Sequence, residues 1–108
     1  MTSSPINDVT KIDLLGERAD GGLDMGIVAE APLDGSSDTL ARVEQKVRNY
    51  LREALDDSFQ KEFGIQRPDQ ITILFESKFA IDVTVMGLLS TLAKETAVVG
   101  VKLVVRRY

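Results

Sequence analysis

Apolar residues recur at Leu40, Val43, Val47, Tyr50, Leu51, Ala54 and Leu55, in steps of three and four. That spacing lays one stripe along a 3.6-residue helix and predicts a helix from Ser37 to Phe63. Arg42, Lys46, Asn49, Arg52, Glu53 and Asp56 fall on the other side and are expected in water. Ser36 or Ser37 suits the cap; Glu44–Arg48 are spaced for an ion pair one turn apart in the better orientation, and Arg52–Asp56 in the weaker one. Gly64 suits the left-handed residue that ends the helix, with an earlier break near Asp57-Ser58 as the alternative.

Before this helix the pattern switches to a period of two. Val9 to Leu15 reads as one strand and Leu23 to Glu30 as a second, with Asp20-Gly21 as a two-residue tip between them. Such a tip places Leu14 opposite Ile27, Ile12 opposite Ala29 and Gly16 opposite Met25. The apolar sets of both strands then share one side. A slip of one residue would bury Asp13 or Asp24, at an expected cost of several kcal/mol for an unpaired carboxylate. Later in the chain, Ile71 to Phe75 reads as a third strand. Asp82 or Thr84 then starts a second helix reaching about Val98, Gly100 stops it, and Val101 to Arg106 forms the last strand.

The predicted order is β-β-α-β-α-β. The expected fold class is α+β: a two-layer α/β sandwich with a four-stranded mixed sheet and both helices on one face. Residues 1–8 are expected to be a flexible lead-in and residues 9–108 a single domain. The uncovered face is predicted to carry Lys11, Asp13, Leu15, Asp24, Val28, Thr72, Leu74, Lys102, Val104 and Arg106.

Composition narrows the chemistry. The 108 residues include no cysteine and no histidine, with 17 acidic and 13 basic side chains and a net charge of −4. Disulfides and thiolate chemistry are excluded, as are the commonest neutral-pH base and the commonest metal ligand. No cofactor, metal site or catalytic residue is expected. No apolar run reaches membrane-spanning length, and Met1–Pro5 lacks the pattern of a signal peptide, so a cytoplasmic location is expected.

The run Ile12-Asp13-Leu14-Leu15, the hairpin, and Val43-Glu44-Gln45-Lys46-Val47-Arg48-Asn49-Tyr50-Leu51 resemble a family of small bacterial proteins of unknown function. That family has an Ile-Asp pair in its first strand and a helix reading roughly Leu-Gln-Glu-Lys-Ile-Asn-x-Tyr-Leu. The resemblance implies the same order of elements and no particular activity. Many members carry an Asp-His-Leu-x-Trp segment after the second strand. Here that region reads Glu30-Ala31-Pro32-Leu33-Asp34, so nothing carried by that segment transfers.

Three surface features remain. Leu15, Val28, Leu74 and Val104 form an apolar island on the expected open face, the anatomy of an interaction patch, although scattered exposed apolar residues are also normal. Asp13, Asp24 and Glu30 are expected to project from the hairpin and could bind a ligand or cation, or merely solvate a sheet face. Arg42, Lys46 and Arg52 could touch phosphates, but acids interrupt them and no aromatic is interleaved, so nucleic acid is disfavoured. The expected function is a non-enzymatic protein-interaction or assembly module using the open face or an edge strand, with a protein partner or self-association. The alternative is a small-molecule or metal-binding domain or enzyme built on Asp13, Asp24 and Glu30.

Overall fold

A computed structural model describes Ile6 and residues 8–107. Strands β1 (Leu14–Glu17), β2 (Leu23–Val28), β3 (Ile71–Ser77) and β4 (Lys102–Arg107) form one sheet in the order β1-β2-β3-β4. β1 runs antiparallel to β2, and β2, β3 and β4 run parallel. Helices α1 (Ser37–Ala54) and α2 (Asp57–Glu62) join β2 to β3, and α3 (Val83–Val98) joins β3 to β4. Leu23, Met25 and Ile27 from β2 and Ile71, Ile73 and Phe75 from β3 pack beneath Val43, Val47 and Tyr50 of α1 and Val85, Leu89 and Leu92 of α3. The predicted two-layer α+β order therefore holds, with the helices on one side of a four-stranded mixed sheet.

The helix starts follow from local chemistry. Ser36 Oγ accepts the Thr39 N–H at 3.2 Å, and Asp82 accepts the Thr84 N–H at 2.8 Å. Asp34 supports the first cap by accepting from the hydroxyls of Ser36 (2.6 Å) and Thr39 (2.7 Å). These bonds hold its carboxyl below the usual carboxylate range. The predicted Glu44–Arg48 pair forms at 3.0 Å, and Arg48 also reaches Glu95 of α3 at 2.9 Å.

The expected single helix from Ser37 to Phe63 is divided. It ends at Ala54, and Asp56 does not pair with Arg52 as expected. Instead its carboxylate accepts the Phe59 N–H at 3.0 Å and caps α2. Gly64 does take the left-handed conformation (φ 66°), but it follows the short second helix. The rings of Phe59 and Phe63 pack there in a tilted arrangement, with centroids 4.9 Å apart. Little of the expected lead-in at residues 1–8 is described. Ile6 is fully buried and bridges Ala29, whereas residues 1–5 and 7 lie outside the described residues.

The largest departure is the hairpin. β1 is Leu14–Glu17, later in the chain than expected, so Gly16 belongs to the strand. Leu14 pairs with Gly26, Leu15 with Met25 and Gly16 with Asp24. This is one residue out of the expected register. The cause is the turn. Arg18 N–H donates to Gly22 O at 2.8 Å and Gly21 N–H to Arg18 O at 3.0 Å, so Ala19-Asp20-Gly21 is a three-residue loop. A two-residue type I′ tip would need positive φ at both Asp20 and Gly21. Gly21 has φ 89°, but no non-glycine among the described residues has positive φ. One extra loop residue turns every β1 side chain to the opposite side of the sheet.

Gly21→Val is expected to destabilise the fold by about 1–2 kcal/mol, because a β-branched residue resists the left-handed region. Gly21→Asn should cost less. Urea unfolding of both variants checks this, and equal losses would remove the backbone explanation.

Candidate interaction surface

The register sets out the uncovered side of the sheet as rows across the strands. Leu14, Gly26, Leu74 and Val104 are successive partners and form an apolar row. Gly16, Asp24, Thr72 and Lys102 flank it on one side, and Val28, Glu76 and Arg106 on the other. Of the expected island, Val28, Leu74 and Val104 lie on this side. Leu15 pairs with Met25 and so faces the helix side, and Leu14 takes its place in the row. A Cβ built on Gly26 would stand 3.1 Å from the Leu14 Cβ, so the glycine leaves room for that leucine. Leu14, Leu15 and Val104 are 55%, 44% and 42% exposed. A shallow cleft of about 230 Å³ runs beside β1, lined by Leu14, Leu15, Gly26 and Leu74, with the carboxylates of Asp24 and Glu76.

The same register separates the candidate acids. Asp13, expected on the open side, turns under α1. Its Oδ1 accepts from Lys46 Nζ at 2.7 Å and its Oδ2 from the Val28 N–H at 3.0 Å. Its side chain is 11% exposed and that of Lys46 is 0% exposed. The Asp13 N–H donates to the Tyr50 hydroxyl at 2.6 Å, and that hydroxyl donates to Gly26 O at 2.6 Å. Burial raises the Tyr50 phenol well above its ordinary range, which keeps it a neutral donor. Asp24 remains on the open side in an ion pair with Arg18. Arg18 also donates to Gln70 O at 3.0 Å, tying the hairpin to the start of β3. Glu30 is exposed beyond the end of β2. The three carboxylates therefore do not converge. Among the described residues, no group of three or more acidic side chains is placed to hold a metal ion.

The cations of α1 also differ from the expected solvent face. Lys46 is buried, Arg42 donates to Ile6 O at 3.0 Å, and Asn49 donates to Val9 O at 2.9 Å. Lys46 further donates to Asp8 O at 3.1 Å. These side chains hold the N-terminal segment along the helix, and only Arg52 of the three candidate cations remains exposed. A signal for Lys46 was present: it lies three residues after Val43 and four before Tyr50, within the apolar stripe. The signal for Leu14 was absent, because it depended on the length of the turn.

Among the described residues, no helix is long and apolar enough to cross a membrane. Scans against protein-family models, curated proteins and solved structures returned no match to this chain. None of them extends the resemblance carried by Ile12–Leu15 and Val43–Leu51.

Proposed function

We propose that this chain is a non-enzymatic assembly module that joins a second copy of itself through β1 and the adjoining apolar row. The observation that carries this reading is the pair of leucines on the short edge strand β1. Leu14 and Leu15 point to opposite sides of the sheet, and both are about half exposed. An edge strand offers unpaired backbone groups, and proteins usually protect such an edge with charge. β1 reads Leu-Leu-Gly-Glu, with no cation. Two antiparallel copies centred on Leu15 would set leucine against leucine and Leu14 against Gly16. Glu17 would face Asp13, whose charge is already met by Lys46.

The other edge behaves differently. Two β4 strands centred on Val104 would set Lys102 directly opposite Arg106 twice, a repulsive arrangement. Self-pairing is therefore favoured at β1. The absence of cysteine and the mild negative charge support a cytoplasmic setting for this module.

Light scattering across a concentration series tests the proposal. The unaltered chain is expected to be a dimer, and Leu15→Glu a monomer with an unchanged circular dichroism spectrum. A unaltered chain that stays monomeric at millimolar concentration would rule out self-association.

A further inference from the structure

Among the described residues, strand β4 closes the far end of the sheet from β1 and pairs only with β3. Among the described residues, no turn, loop or cap bonds to the backbone of Lys102–Arg107. Its outward N–H and C=O groups therefore form a six-residue template for another strand. The side chains state what such a strand must carry. Lys102, Arg106 and Arg107 put three cations on β4, which has no acid, in a chain whose net charge is −4.

Lys102 and Arg106 stand on the open side, in register with Thr72 and Glu76. Arg106 lies 3.9 Å from Glu76, a long contact that neutralises it weakly. At the other end of the strand, Lys102 shares a hollow of about 250 Å³ with two ion pairs, Arg18–Asp20 and Arg67–Asp69. Leu103 and Val105 face the helix side and are only partly covered by the core. A guest strand beside β4 would thus meet cations on one side and incompletely buried aliphatic groups on the other.

We infer that β4 receives an extended segment of another protein in which acidic and apolar residues alternate. The acids would lie opposite Lys102 and Arg106, and the apolar residues would complete the cover over Leu103 and Val105. A second copy of β4 is a poor occupant, because it brings the same cations to the same positions. The inference is independent of pairing at β1, since the two edges lie at opposite ends of the sheet.

The probe is a fluorescent peptide of about eight residues alternating glutamate and valine, titrated at low salt by anisotropy, with amide NMR shifts recorded on the full chain. Saturable binding is expected, with the shifts concentrated on Lys102–Arg107. Three controls separate strand addition from simple attraction of a polyanion. A block peptide of the same composition and a peptide N-methylated at alternate amides should each bind at least tenfold more weakly. Lys102→Glu/Arg106→Glu, both exposed positions, should lose at least tenfold with an unchanged melting curve. A lysine–valine peptide should then bind this double variant better than it binds the unaltered chain. Equal binding of the alternating, block and N-methylated peptides would overturn the inference, as would shifts centred on β1 or no saturable binding. Failure here with a dimer still present would leave the β1 proposal standing, and a monomer that binds the peptide would do the reverse.

Discussion

Lys46→Ala is expected to cost about 3–5 kcal/mol of folding stability, because it removes one partner of a buried ion pair. The amine is fully buried and lies 2.7 Å from Asp13 Oδ1. Without it, the Asp13 carboxylate keeps the Val28 N–H at 3.0 Å but loses its counter-charge. It has little water to replace it. Asp13→Asn in the Lys46→Ala background should recover part of the loss, since a neutral amide pays a much smaller desolvation cost. Replacing both members by leucine should bring stability to within about 1–2 kcal/mol of the unaltered chain, because a well-packed apolar pair often matches a buried ion pair. Lys61, exposed on α2, provides the comparison, and its alanine variant should change stability by less than about 0.5 kcal/mol. Urea denaturation measures all four. Equal midpoints for Lys46→Ala and Lys61→Ala would show that the pair carries no such weight.

Deletion of Ala19, an exposed residue, should cost about 1–2 kcal/mol and leave the register unchanged. It would leave Asp20-Gly21 as a two-residue tip between Arg18 and Gly22, which still sets Leu14 opposite Gly26. Asp13 therefore stays under α1 and Lys46 keeps its carboxylate. The loss comes from the tip, because a type I′ turn forces Asp20 to positive φ. Ala19→Gly keeps the loop length and should cost less than about 1 kcal/mol. Thermal melts give the stabilities, and cross-strand NMR contacts between Leu15 and Met25 report the register. A deletion variant that loses the Leu15–Met25 contact would contradict the role assigned to the turn.

Both predictions concern the same few residues, and those residues mark where local patterns stop being informative. Asp13 and Lys46 each read as surface positions, as charged residues ordinarily do. Burial of either one alone would be prohibitive, and 33 residues separate them in the chain. Only the packing of α1 over the hairpin lets each offset the cost of the other. Tyr50 adds to this lock, its hydroxyl joining the Asp13 N–H to the Gly26 carbonyl. The division of the long helix at Leu55–Asp56 was more accessible, because aspartate is a preferred residue at a helix start.

Much of the architecture is present in the linear pattern. The stripe from Val43 to Ala54, the alternation of Leu23, Met25 and Ile27, the β-branched run from Ile71, and Asp82 before α3 determine the order of elements and the buried side of β2 and β3. They do so because helical and strand periodicities are local properties of the backbone. The chain by itself also excludes cysteine and histidine chemistry. Tertiary structure alone decided the register of β1, the pairing of Asp13 with Lys46, and the exchange of Leu15 for Leu14 on the open side. Those features depend on one residue of loop length and on contacts between distant segments, where the free energy of a side chain is set by a partner that its neighbours in sequence do not specify.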